Sequence, residues 1–76
     1  MMSGSAYAVV LVPSSSHAIR GEHVLNMAGI ASKLIPVPRT ISSECGVCLR
    51  IAHHDREAVE KALNEARVLI HRIVDL

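Results

Sequence analysis

The sequence predicts an α+β domain: a four-stranded antiparallel sheet in spatial order 4-1-3-2, with two helices on one face. Three observations point there. Short apolar runs of strand length and two stripes of helical spacing follow one another as strand, helix, strand, strand, helix, strand. The first run is apolar on both faces, as a central strand is. The second contains a proline, which cannot donate to a ladder and so belongs at an edge.

Ala6 to Val12 is the first strand, stopped by Pro13 and the serines Ser14, Ser15 and Ser16. Ser16 or Ser15 is expected to cap a helix from about His17 to Ala28, its hydroxyl accepting a free first-turn N–H. Ala18, Gly21, Leu25 and Ala28, spaced by three, four and three, form that helix's inner face. Gly21 weakens the helix but permits close approach to a sheet. Gly29 suits the left-handed position that ends a helix.

Lys33 to Val37 is the second strand, carrying Pro36. Gly46 to His53 is the third, with Val47, Leu49 and Ile51 on one face and Cys48, Arg50 and Ala52 on the other. Asp55 is expected to cap a second helix, Arg56 to about Arg67, whose buried stripe is Val59, Ala62, Leu63 and Ala66. Leu69 to Val74 is the last strand, with His71 facing outward. The usual closed solution for this order is the ferredoxin-like split sheet, with right-handed crossovers.

That topology fixes which loops meet. The end of the first strand, the start of the first helix and the loop between strands two and three lie at one end. Ser14, Ser15, Ser16 and His17 should therefore sit near the segment from Arg39 to Gly46. A helix N-terminus there favours an anion or a thiolate. His53, His54 and Asp55 fall at the other end.

Seventy-six residues make one small domain, with residues 1–5 expected to be a flexible N-terminus. Half the residues are apolar, yet there is no Phe or Trp and a single tyrosine, Tyr7, which leaves no stacking surface for bases. A net charge of +1 gives no strong electrostatic footprint for nucleic acid. The longest apolar run, Ala8 to Pro13, is far too short for a bilayer, and the start of the chain lacks the basic and long apolar regions of a signal peptide. Two cysteines do not make a disulfide framework, so a reducing, cytoplasmic setting is expected.

The residues that carry chemistry cluster between Ile35 and Arg50, where two prolines, Arg39, a run of hydroxyls and Cys45-Gly46 occupy one polar loop. A thiol in a loop is placed for reaction rather than for packing. Arg39 can clamp an anion or favour a thiolate, and Ser43, Ser16 and His17 add polar groups nearby. Glu44 works in the opposite direction, because an adjacent carboxylate raises a thiol's pKa. Cys48 continues the strand alternation. Residues three apart on a strand lie roughly 10 Å apart on opposite faces, so pairing it with Cys45 as a resolving thiol needs a turn at Gly46; the competing role is a small core residue. Cys45, Cys48, His53 and His54 match no common zinc spacing, so no metal and no cofactor is expected.

From Leu34 to Arg50 the chain closely resembles the signature of a family of small bacterial proteins described as selenium/sulfur carrier-like. The specific portion is Pro-Arg…Ser-x-Cys-Gly, matched by Pro38, Arg39, Ser43, Cys45 and Gly46, and the likeness extends over nearly the whole chain. The resemblance implies a thiol, Cys45, that holds sulfur or selenium as a persulfide or perselenide. It also implies a donor enzyme and an acceptor protein as partners, and a carrier more than a free-standing enzyme. Two other readings compete. One is a non-catalytic anion-binding or regulatory module that pairs as a homodimer through the sheet face uncovered by helices. The other, less favoured, is a metal-binding protein.

Overall fold

The structure, a computed structural model, describes residues 6–39, 41 and 46–76. Its elements run β1 (Tyr7–Leu11), α1 (Ser15–Met27), β2 (Ser32–Pro36), β3 (Val47–Ala52), a single 3₁₀ turn (His53–Asp55), α2 (Arg56–Glu65) and β4 (Arg72–Asp75). The sheet order is β2-β3-β1-β4, the expected 4-1-3-2 read from the other edge, and every pairing is antiparallel. The ferredoxin-like plan is therefore the fold. Pro36 does lie on an edge strand.

β1 is central because its side chains are apolar on both sides. Ala8 and Val10 point into the layer shared with Leu25, Leu49, Ile51, Val59 and Leu63. Val9 and Leu11 join Cys48 on the face without helices. Both helices cover the same face of the sheet, α1 through Ala18, Gly21 and Leu25, and α2 through Val59 and Leu63. Burial of a Leu or Val of this kind contributes about 1.5–3 kcal/mol. Ala62 and Ala66 pack half-buried beside them, whereas Ala28 is exposed at the C-cap of α1.

Both helices end in the same way. Gly29 takes φ 77°, its N–H donating to the Asn26 carbonyl, and the Ile30 N–H donates to the Leu25 carbonyl at 2.8 Å. Arg67 takes φ 60°, with the equivalent bonds from Arg67 to Asn64 and from Val68 to Leu63 at 2.9 Å. These are Schellman closures, and they send Ile30 and Val68 back onto the core.

Four expectations are corrected. The cap of α1 is Ser14, not Ser15 or Ser16: its Oγ accepts the His17 N–H at 3.4 Å, and the helix starts at Ser15 because Pro13 already turns the chain. Asp55 stands at the N-cap position of α2 but makes no capping bond, since the 3₁₀ turn aims its carboxylate at His54, with Oδ1 3.5 Å from Nε2. α2 stops at Glu65, short of Arg67, where the Schellman closure begins. The last strand is Arg72–Asp75 rather than Leu69–Val74. Its length is set by β1, whose register pairs Leu11 with Arg72 and Ala8 with Asp75, and beyond Leu11 the chain leaves the sheet toward Pro13. Leu69 is consequently exposed, and His71 precedes the strand.

β4 is fastened at its far end by Arg56, which donates to Asp75 Oδ1 at 2.8 Å and to the Ile73 carbonyl at 3.1 Å. His53 Nε2 lies 3.3 Å from the same carboxylate oxygen. On the face without helices, Val9 and Cys48 are 0% exposed, packed by Ile35, Val37, Ile41 and Val74. The apolar centre of that face is thus buried within one chain. Among the described residues no helix is long and apolar enough to cross a membrane.

A Cβ added at Gly21 would lie 2.9 Å from Leu49 Cδ1 and 3.5 Å from Leu63 Cδ2. Gly21→Ala is expected to be near neutral, because the displaced atom ends a side chain and alanine's helix preference gains about 0.5–1 kcal/mol. Gly21→Val, with two further methyl groups aimed at the same leucines, should cost about 2 kcal/mol or more by urea unfolding.

Candidate functional site

At the end of the sheet where β1 stops and β3 and β4 begin, a cleft of about 770 Å³ opens. Among the described residues its lining combines the apolar Leu11, Val12, Pro13, Val37, Ile41 and Val47 with Ser14 and Ser15 from the β1–α1 turn, His71 and Arg72 at the start of β4, and Gly46 at the end of the β2–β3 connection. Each part is placed by the fold. The Val37 N–H donates to the Gly46 carbonyl at 3.1 Å, prolonging the β2–β3 ladder up to the cleft. The His71 N–H donates to the Leu11 carbonyl at 2.7 Å, which fixes the entry to β4 beside the end of β1.

Among the described residues no lining residue is acidic, and neither His71 nor Arg72 pairs with a carboxylate. The first-turn amides of α1 have no acceptor within the helix, so they add partial positive charge beside Ser15. At the opposite end of β4 the charges are matched, Arg56 against Asp75.

Several of the residues read from sequence meet here. The predicted approach of the Ser14–Ser15 turn to Gly46 is present. Gly46 adopts φ 153°, a backbone that other residues take only with strain, and nothing lies within 4 Å of where its Cβ would be. Ser16 is exposed in the first turn and does not line the cleft. His17 is tied to the cap instead, Nδ1 hydrogen-bonding Ser14 Oγ at 2.7 Å. Arg39 is exposed and also lies outside the lining. Cys45 and Ser43, together with residues 1–5, lie outside the described residues.

Cys48 is a free thiol, fully buried between Val9 and Leu11 on the helix-free face. Desolvation pushes its pKa up, the reverse of what a nucleophilic or resolving thiol needs. Cys48 and His53 sit on either side of the run Leu49–Ala52, and among the described residues no three His, Cys, Asp or Glu side chains gather as metal ligands.

Sequence reading missed His71 and Arg72. His71 reads as an outward residue of the last strand, and it is exposed, but as part of the cleft wall. The signal was available in the topology, because antiparallel pairing puts the start of β4 beside the end of β1.

Residues 7–75 match a family described as "Putative Se/S carrier protein-like". The chain belongs to that family. The match spans all four strands, both helices and the whole Pro38–Gly46 connection of this carrier-family domain. No curated protein and no solved structure matches the chain.

If burial governs Cys48, it should resist iodoacetamide in native protein and react at once in urea, read by mass spectrometry of the separated peptides. Its folded pKa lies above the unfolded value, so the native state keeps the proton to higher pH. Its effect on stability is therefore flat below ~8.5 and becomes destabilising as pH rises toward the folded pKa. In a Cys45→Ser background, that alkaline decline should flatten on adding Cys48→Ala.

Proposed function

We propose that the protein carries sulfane sulfur or selenium as a persulfide or perselenide on Cys45, between a donor enzyme and an acceptor protein. The Cys45 thiolate attacks the outer sulfur of a donor persulfide. The donor's S–S bond breaks, its thiolate leaves, and the outer atom stays bonded to Cys45, so nothing is oxidised or reduced overall. The observation that carries this reading is local. Cys45 is bonded to Gly46, and Gly46 lines a cleft whose described lining holds Ser14, Ser15, His71 and Arg72 and no carboxylate. An arginine and hydroxyl donors favour the anionic over the protonated form of a thiol or persulfide that reaches them, against the pull of the neighbouring Glu44. Membership of the carrier family supports the same assignment. The buried Cys48 leaves Cys45 as the thiol for transfer.

The test is loading from a desulfurase-type donor supplied with cysteine, read as the mass gained by the intact protein. Wild type should gain one sulfur atom on Cys45, Cys48→Ala should load as wild type does, and Cys45→Ser should not load. Alkylation across pH should give Cys45 an apparent pKa below the ~8.5 of a free thiol. Loading of Cys45→Ser at the wild-type rate would overturn the assignment.

A further inference from the structure

We propose that the helix-free face of the sheet, at Lys33, Arg50 and Tyr7, binds single-stranded nucleic acid. Binding there uses none of the residues of the cleft and does not depend on the carrier reading.

Side-chain alternation assigns the face. Val9, Cys48 and Ile35 belong to its apolar cluster. The residues two positions from each along the same strand share that face: Tyr7 on β1, Arg50 on β3 and Lys33 on β2. The register sets Lys33 directly opposite Arg50, and Arg50 opposite Val9, one row from Tyr7. The Arg50 guanidinium lies over the Tyr7 ring, Cζ 4.4 Å from the ring centroid, and Tyr7 is still 45% exposed. Lys33 is exposed and Arg50 half-buried.

The charges call for an anion. Lys33 and Arg50 are like charges on directly opposite positions, roughly 5 Å apart at Cβ, an arrangement that costs stability until something negative lies between them. Neither pairs with a carboxylate among the described residues. The net charge of +1 is a sum over two unlike faces. Glu22 is on α1, Asp55, Glu57, Glu60 and Glu65 are on the 3₁₀ turn and α2, and Asp75 is bonded to Arg56 of α2. Glu44, the remaining acid of the sequence, lies outside the described residues, and the chain leads to it beyond Val47, the end of β3 away from Ala52 and Tyr7. Residues 1–5 contain no acid.

The stacked pair selects nucleic acid over an acidic peptide. A carboxylate ligand needs only the two cations. Tyr7 and Arg50 add a planar surface, and unpaired bases stack on aromatic rings and on arginine planes alike. A lone tyrosine is a small platform; the guanidinium folded over it enlarges the platform and joins it to the cation that takes the neighbouring phosphate. A duplex hides its base faces, so only an unpaired strand offers base and phosphate together.

The experiment is fluorescence anisotropy of short labelled oligouridine and oligodeoxythymidine, titrated with the full chain at low salt. Saturable binding of at least one is expected, the tighter of the two naming the sugar that the face prefers. Two phosphate contacts give a slope of about −1.4 for log affinity against log salt. Tyr7→Leu and Lys33→Gln should each weaken binding about fivefold or more, whereas Tyr7→Phe, which keeps the ring, should bind as wild type does. A duplex of the same length should bind about fivefold more weakly or worse. Lys33 and Tyr7 are exposed, and an unchanged far-ultraviolet circular dichroism spectrum verifies that the variants fold. Absence of saturation, binding indifferent to Tyr7→Leu, or equal affinity for polyglutamate overturns the proposal, the last by assigning the face to an acidic protein segment. Each of these readouts is independent of sulfur loading on Cys45.

Discussion

β1 is buried on both faces at once, with Ala8, Val9 and Val10 all fully enclosed, and the rest of the molecule is arranged around that requirement. A five-residue strand can satisfy it only with a partner on each side and a layer over each face. β3 and β4 supply the partners, while the two helices and the Val37–Ile41 segment contribute to the layers. The cost of unpaired backbone groups in so apolar a strand leaves little freedom in register. The register fixed at Val9 against Arg50 and Val74 then determines what stands at each end of the sheet.

One consequence is the division of charge. At the end where β3 runs into α2, Arg56 and Asp75 neutralise one another beside His53 and fasten the edge strand. At the other end, His71 and Arg72 stand near the N-terminus of α1, with hydroxyls and aliphatic side chains and, among the described residues, no carboxylate in the lining. Ion pairs as exposed as Arg56–Asp75 contribute little to stability, about 0–1 kcal/mol. Their effect is more on where β4 ends than on how firmly the domain is folded. Arg72 at the cleft has no such partner among the described residues.

The same geometry decides where Cys48 sits. Strand alternation turns Cys48 toward the helix-free face, in one cluster with Val9 and Leu11, where desolvation raises its pKa. Gly46, with its positive φ, precedes the first residue of β3 and marks where the strand pattern begins. A Cys-x-x-Cys spacing on a strand is poorly suited to the bridge that the same spacing makes on a helix.

The amino-acid sequence by itself determined the elements, the sheet order and the facing of nearly every core side chain. Those rest on local periodicity, on Pro36 excluding β2 from the sheet centre and on Gly29 ending α1. It also singled out Cys45 and Gly46, because a polar loop between two apolar strands is visible without coordinates. Only the tertiary structure decided that Ser14 rather than Ser16 caps α1, that the last strand begins at Arg72, and that His71 and Arg72 wall the cleft. Caps among three consecutive serines differ only in where the preceding strand releases the chain. The start of β4 is dictated by the end of β1, some sixty residues earlier. Contacts between such distant segments leave no periodic signature in either one, so they appear only once the chain is folded.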